Sequence, residues 1–395
     1  MENSSSPRAK PRWLILGGLG FLGRNLVKYI IDNNLASFVR IVDKKAPFMA
    51  FLSSDYKASI LESQHVVECV QADVSDDDML EKSFFSPPRD GCGPPLEAGS
   101  SLTWDYIINL AAETTLGKRD EFYSKAVDGA AKSGALALSL GDSLKKYVYV
   151  STASVYKSSD SSANQESSAT APWTAVAEAS LRAEAALTAL SGLPLVILRP
   201  ALVYGPGDFS SLMSRCVVAA TYAREKAIAD RRMELLWDGD LKLSTIHVFD
   251  VARAIVHCAR KVQPGLTFNL ADKANSNVGS VSSIIARIFN IEILFAGSIK
   301  SNLAALRLDA VVDAVNENHL GPWLAMNREL GVKNTPLSPY LHKSLLAFNH
   351  LSVDGSAIES TGFKYAVAEP TIELVRDPIA QHIAQGIFPN VITNE

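Results

Sequence analysis

The chain has 395 residues, 47% of them apolar, and a formal net charge of −4, enough for one large or two modest domains with a sizeable core. That charge lends no support to a nucleic-acid or anionic-membrane surface, and no apolar run approaches the length of a membrane span. The cysteines Cys69, Cys92, Cys216 and Cys258 are far apart, without a C-x-x-C pair, which speaks against a zinc site or a disulfide framework and fits a reducing compartment.

Residues 1–11 are polar and read as a flexible N-terminus with no secretory signal, so a cytoplasmic location is expected. Trp13–Leu16 reads as a strand. Phe21–Asn33 reads as a helix with apolar positions at Leu22, Leu26, Ile30 and Ile31. Strands are predicted at Val39–Val42, Val66–Val70, Tyr106–Leu110 and Tyr147–Val150, alternating with helical patterns. This alternation is the pattern of a parallel sheet with helices on both faces. The segment Pro87–Pro95 reads as a disordered or surface insertion, and the serine-rich stretch Ser158–Ser168 as a flexible loop near the mouth of a site. A further strand, Leu195–Leu198, leads to Pro200 and to Gly205-Pro206-Gly207, which break regular structure. The expected fold is α/β: a doubly wound parallel sheet over 12–205 and a smaller C-terminal α/β lobe over 206–395, with segments returning to the sheet.

The most specific local pattern is strand, glycine turn, helix: Leu14-Ile15-Leu16-Gly17-Gly18-Leu19-Gly20-Phe21-Leu22-Gly23. Gly17 permits a tight turn, Gly20 lets the backbone approach a pyrophosphate, and Gly23 allows close packing of helix on strand. The helix start at Phe21 and Leu22 then offers free N–H groups to phosphates. Asp43 ends the next strand about twenty residues on, where a carboxylate accepts hydrogen bonds from the adenosine ribose. Such a carboxylate repels a 2′-phosphate, which favours NAD over NADP. Lys44 and Lys45 follow it and read as a solvated turn. Asp73, before Val74, suits either the adenine edge or a helix N-cap.

The glycine fingerprint with Asp43 is joined by Asn109-Leu110-Ala111-Ala112, by Ser151–Tyr156, by Leu198–Asp208 (LRPALVYGPGD), by Ile246–Ala252 and by Phe268-Asn269-Leu270. On these residues the chain resembles the extended short-chain dehydrogenase/reductases, especially NAD-dependent epimerases and dehydratases. The resemblance implies a Rossmann NAD domain with Leu110, Ala111 and Ala112 beside the cofactor. It also implies a substrate-binding C-terminal lobe and homodimers through two helices, here Asp120–Leu140 and Trp173–Leu190.

The resemblance further implies a hydroxyl, a tyrosine, a lysine four residues after it and a supporting asparagine. The lysine holds the nicotinamide ribose and lowers the tyrosine pKa. The hydroxyl falls at Thr152, but the tyrosine position is Val176, the lysine position Ser180 and the asparagine position Ala126. Only Thr152 is chemically competent, with Tyr156 the weaker understudy. One Tyr-x-x-x-Lys exists, Tyr222 and Lys226, but it follows the Leu198–Asp208 block and reads as two surface residues one helical turn apart.

On the substrate side Tyr204 and Lys242 are the pocket candidates. An arginine that clamps pyrophosphate in nucleotide-sugar enzymes is replaced by Leu243 beside Lys242. Arg199 reads as a loop anchor, Asp250 as the cap of a helix over Val251–Arg260, and His247 as a packed strand residue. The expected function is an NAD(H)-binding, homodimeric protein with degenerate acid–base residues, weakly catalytic or non-catalytic, meeting an unknown small molecule as sensor or scaffold. The alternative is an active NAD-dependent epimerase, dehydratase or hydroxyl dehydrogenase acting on a sugar nucleotide or another small alcohol or ketone. No metal site, nucleic acid or membrane partner is expected.

Overall fold

The structure is a computed structural model that describes residues 10–96, 101–229 and 232–392. Most of the N-terminal segment 1–11 therefore lies outside the described residues. The chain divides into two units, the first made of Met1–Ser151, Ala179–Leu198 and Ala252–Thr267, the second of Thr152–Glu178, Arg199–Val251 and Phe268–Glu395. The division does not follow one cut at 205/206, because 152–178 groups with the second unit and 252–267 with the first. The second unit is also the longer one, against the expected smaller lobe, because helices and irregular chain between 297 and 370 enlarge it.

The first unit starts with β1 (Arg12–Leu16), α1 (Phe21–Asp32) and β2 (Phe38–Asp43). A short helix, α2 (Ser54–Lys57), runs on into a wider turn over Ala58–Glu62. Then come β3 (Val67–Gln71), α3 (Asp77–Phe85), β4 (Tyr106–Asn109), α4 (Asp120–Ser139) and β5 (Lys146–Val150). The helix α5 (Ala175–Thr188), the strand β6 (Leu195–Pro200), the helix α7 (Val248–Lys261) and the strand β10 (Leu266–Leu270) complete the sheet layer.

Strand order is β10-β6-β5-β4-β1-β2-β3, and β1 pairs in parallel with both β2 and β4. β2 (FVRIVD) and β5 (KYVYV) are buried nearly throughout, as strands covered on both faces must be. The Lys146 ammonium in β5 is accommodated because it donates to the Val262 carbonyl at 2.6 Å. The order reverses between β1 and β4, so the crevice at the carboxyl ends of these two strands is the topological switch point where open α/β sheets bind ligands.

The insertion Pro87–Pro95 is irregular but pinned. The Arg89 N–H donates to Glu68 Oε1 at 2.8 Å, and the Gly93 N–H donates to the His65 carbonyl at 2.8 Å. Glu68 in turn pairs with the buried Arg40 at 2.7 Å.

In the second unit β7 (Leu202–Tyr204) pairs in parallel with β9 (Thr245–His247), and β8 (Met233–Leu235) with β11 (Ile293–Phe295). Around them lie α6 (Leu212–Ala229), α8 (Val278–Phe289), α9 (Gly297–Ala305), α10 (Leu308–Glu329) and α11 (Ile372–Ala384). The apolar faces of α6, α8, α10 and α11 meet in one cluster that includes Cys216, Val217, Ile285, Trp323 and Phe388. The loop Ser158–Ser168 is held rather than loose. The Asn164 N–H donates to the Ser352 carbonyl at 2.9 Å, and Glu166 accepts from the Asn269 N–H at 2.8 Å.

Candidate functional site

The glycine turn joins β1 to α1 at the switch point. Gly17 has φ +78°, and a Cβ there would sit 2.7 Å from the Leu110 carbonyl oxygen. A Cβ on Gly23 would sit 2.5 Å from the Gly17 oxygen and 2.5 Å from Gly18 Cα, so helix and turn touch only because both residues are bare. Gly20 differs: its φ is −67°, and its Cβ would meet only the Gly17 oxygen, at 3.2 Å. Packing therefore demands a glycine at Gly17 and Gly23, and at Gly20 opposes a side chain only through this one tight contact with the Gly17 oxygen. Gly20 is also the N-cap of α1 and gives no side-chain cap. The first N–H groups of the helix, at Phe21, Leu22 and Gly23, are thus left to an outside acceptor, which suits a pyrophosphate.

Beside this turn the Asp43 carboxylate is oriented by two backbone donors, Leu19 N–H to Oδ2 at 3.0 Å and Lys45 N–H to Oδ1 at 3.0 Å. A carboxylate can accept further bonds beyond these. Lys44 is exposed, as a solvated turn requires, and its ammonium reaches Glu113 Oε2 at 3.3 Å. Burial alone would raise the Glu113 carboxyl, but the Thr115 N–H and Lys44 outweigh it and hold it below the ordinary range.

Past β4, the Leu110 N–H donates to the Leu16 carbonyl at 2.8 Å, and the Ala112 N–H to the Leu110 carbonyl at 3.0 Å. The Ala111 N–H donates to Asn109 Oδ1 at 3.0 Å. Asp73 is not the cap of α3: Asp76 is, accepting from the Met79 N–H at 2.9 Å. Asp73 instead closes a local turn by accepting from the Ser75 N–H at 2.9 Å and the Ser75 hydroxyl at 2.8 Å. Val74 packs where a Cβ on Gly129 of α4 would come within 2.9 Å of its Cγ2.

The reactive positions look different. Thr152 is half-buried, and its Oγ1 accepts from the Ser154 N–H at 3.2 Å. Val176 lies in the first turn of α5. Ser180, one turn later, is buried and hydrogen-bonded to the Tyr149 phenol of β5 within the first unit. Burial pushes that phenol up, and the nearby Glu184 adds to the effect.

Tyr156 is 2% exposed. Its hydroxyl donates to Asn269 Oδ1 at 2.7 Å and accepts from Arg199 Nη1 at 2.8 Å. Both capacities of the phenol are used, and burial holds its pKa above the ordinary value against the pull of Arg199. Tyr156 is thus built in as a pillar, which argues against it as an acid. Arg199 anchors it, as its sequence position suggested.

The sequence bears out the geometry. Residues 96–271 match the NAD dependent epimerase/dehydratase family, and residues 14–86 match the 3-beta hydroxysteroid dehydrogenase/isomerase family. Each match covers less than half of the chain, and together they span most of the sheet-forming region. No curated protein sequence matches it.

Among solved structures it is similar to the dTDP-glucose 4,6-dehydratase DesIV of Streptomyces venezuelae, at 17% identity over 94% of this chain and 97% of that one, with a TM-score of 0.65. It is also similar to the UDP-N-acetylglucosamine 4-epimerase of Methanobrevibacter ruminantium, at 18% identity over 95% and 99%, TM-score 0.63. A third likeness is to the UDP-glucose 4-epimerase of Thermus thermophilus, at 15% identity over 93% and 98%, TM-score 0.62. Identities this low establish the shared fold.

The remaining candidates fall as follows. Tyr204 is 1% exposed, packs edge-on against His247 with ring centroids 5.1 Å apart, and its hydroxyl lacks a hydrogen-bond partner among the described residues. His247 is buried, and that burial lowers its pKa. Lys242 lines a cavity in the second unit. Asp250 does not cap α7, since it lies inside the first turn of a helix that begins at Val248. Its carboxylate accepts from the Ala366 N–H at 2.9 Å and the Val367 N–H at 2.8 Å, anchoring a segment 116 residues away. Tyr222 in α6 lies 3.3 Å from His319 Nε2, and the Lys226 side chain lies outside the described residues. Sequence reasoning missed Glu113, Tyr149 and Arg24. Arg24 is buried and donates to the carbonyls of Leu19 at 2.7 Å and Ala50 at 2.9 Å, bracing the glycine turn. Each acts on a partner far along the chain or across a turn, which periodicity cannot reveal.

Proposed function

We propose that this chain is an NAD(H)-binding extended short-chain dehydrogenase/reductase whose acid–base set has degenerated, so that it is weakly catalytic or non-catalytic and serves as a sensor or scaffold. Gly17, Gly20, Phe21, Leu22 and Gly23 hold the pyrophosphate, and Asp43 takes the adenosine ribose hydroxyls. Asp73 and Val74 flank the adenine, and Leu110, Ala111 and Ala112 form the facing wall. The bare Gly20 at the start of a helix with no side-chain cap, constrained by packing far less than Gly17 or Gly23, is the observation that carries cofactor binding. Lys44, drawn to Glu113, is withdrawn from any 2′-phosphate, which supports NAD over NADP.

Bound NAD supplies a hydride acceptor. Thr152 can orient a substrate hydroxyl, but Val176 has no proton to exchange, and Ser180 has no charge to depress a neighbour's pKa. Losing positioned acid–base chemistry removes roughly 10²- to 10⁴-fold in rate. The commitment of Ser180 to the Tyr149 hydroxyl supports the view that this position now serves packing. A homodimer through α4 and α5 and a cytoplasmic location complete the reading.

Calorimetric titration tests it, with NAD and NADP compared, alongside a turnover assay on sugar nucleotides. We expect stoichiometric NAD binding, weaker NADP binding and no turnover at ordinary enzyme rates. Turnover at such rates would favour an active epimerase or dehydratase instead.

A further inference from the structure

The second unit holds a cavity of about 560 Å3, and none of its lining residues belongs to the glycine turn. Its size falls in the range of small-molecule sites. Four stretches and Tyr365 wall it: 160–163, 242–244, 271–275 and 352–359. These walls are fastened to one another. The Ser244 N–H donates to the Leu351 carbonyl at 2.8 Å, and the Leu243 N–H to the Ser276 carbonyl at 3.0 Å. The Val353 N–H donates to Ser244 Oγ at 3.1 Å. At Gly355 a Cβ would lie 2.5 Å from the Ala271 oxygen, so only a glycine lets these two walls meet. The Tyr365 hydroxyl donates to the Gly355 carbonyl at 2.8 Å and locks that contact.

The lining is charged in an unbalanced way. Lys273 and Glu359 pair at 2.9 Å and cancel. Asp272 is 9% exposed, accepting only from Thr245 Oγ1 at 2.7 Å and the Ala274 N–H at 3.1 Å. Asp354 accepts from the Ser356 N–H at 2.9 Å. Among the described residues neither aspartate, nor Asp160 beside them, has a cation partner. Lys242 is the reverse case. Its backbone is fixed, the N–H donating to His350 Nδ1 at 3.1 Å and the carbonyl accepting from the Leu351 N–H at 3.0 Å. Its ammonium has no carboxylate partner among the described residues. Buried charges left without partners are costly, and in folded proteins they are normally compensated. Here Lys273 is paired with Glu359, while the buried Asp272, the half-buried Asp354 and Lys242 and the exposed Asp160 line one space. Nearby, the buried and unpartnered Tyr204 hydroxyl feels the Asp272 carboxylate more strongly than any other charge.

We propose that this cavity is a ligand site for a small molecule carrying both an ammonium and an anionic group, the ammonium set against Asp272 and Asp354 and the anion against Lys242. The class includes amino sugar phosphates and phosphorylated amines. The site uses none of the residues of the glycine turn and does not depend on NAD binding.

The test is calorimetric titration of the full chain with glucosamine 6-phosphate, phosphoethanolamine, spermidine and inorganic phosphate. At least one of the two zwitterions should bind more tightly than spermidine or phosphate. Lys242→Gln and Asp272→Asn should each weaken that binding at least tenfold, with thermal melts confirming the fold. Asp160→Asn, on an exposed loop, is a second variant that should weaken binding without a folding defect. No binding of either zwitterion would overturn the proposal. So would equal binding of spermidine alone or of phosphate alone, or affinities that Lys242→Gln and Asp272→Asn leave unchanged.

Discussion

Gly20→Ala separates a glycine kept for a ligand from one kept for packing. The added methyl would meet one atom of the protein, the Gly17 oxygen, at 3.2 Å. Its φ of −67° is open to any residue. At an N-cap alanine is somewhat worse than glycine, so the folded state should lose at most about 1 kcal/mol. Gly23→Ala is the control: its methyl would lie 2.5 Å from backbone atoms of Gly17 and Gly18. Backbone cannot rotate away as a side chain can, so overpacking of about 1–3 kcal/mol or more is expected there. If a pyrophosphate rests on Gly20, the same overpacking falls on the cofactor instead. A penalty of about 1–3 kcal/mol corresponds to roughly 5- to 150-fold weaker NAD binding. Thermal melts and NAD titrations on both variants read the two effects separately. A Gly20→Ala protein that binds NAD as the parent does would refute the cofactor role of this turn. One that melts as early as Gly23→Ala would refute the spatial reasoning.

Four further outcomes are expected. Tyr156→Phe should cost about 1–3 kcal/mol, because it strands the buried Asn269 and Arg199 groups that now bond its hydroxyl; denaturant titration measures this, and an unchanged midpoint would contradict it. Asp250→Ala should cost about 2–4 kcal/mol by orphaning the Ala366 and Val367 N–H groups, with faster proteolysis near residue 366 as a local readout. Asp208 accepts from the Ser210, Ser211 and Met213 N–H groups, yet burial lifts its carboxyl from 3.8 to about 6. The folded state then holds the extra proton between those values, so this group's contribution to stability is greatest below pH 3.8, declines as pH rises to about 6 and is level above; Asp208→Asn should remove that slope from melts taken across the window. Finally, Val176→Tyr with Ser180→Lys restores the tyrosine and the lysine. It should raise turnover of a suitable sugar nucleotide roughly 10²- to 10⁴-fold over the parent, while losing about 1–3 kcal/mol because the Tyr149 hydroxyl is stranded; an undetectable gain would mean that Val176 and Ser180 are not the vacated positions.

The sheet was legible because its strands are short β-branched runs whose burial on both faces leaves a local signature. Phe38–Asp43 and Leu195–Pro200 stand within two residues of their expected bounds. The glycine turn was legible for the same kind of reason, since backbone conformation and close approach act on single positions. What failed was reasoning from local rules about residues whose partners are distant. Asp250 carries the pattern of a helix cap and instead holds residues 366 and 367. Helix α9 defeats the amphipathic rule outright. It turns Ser301 inward, where the hydroxyl accepts from the Trp237 N–H at 2.6 Å, and leaves Ile299 and Leu303 outward at 80% and 65% exposure. The cavity around Lys242 was invisible for a related reason, because its walls come from four stretches that no spacing rule connects.

The central claim is a cofactor cradle kept beside a proton relay that has been lost. Its most direct test is a single-turnover experiment in which the purified protein is loaded with NAD and mixed with excess UDP-glucose or dTDP-glucose while NADH absorbance is followed. We expect one NAD bound per chain and no NADH or sugar product on the timescale of ordinary enzymes. A burst of NADH, or isomerised sugar at such rates, would contradict it.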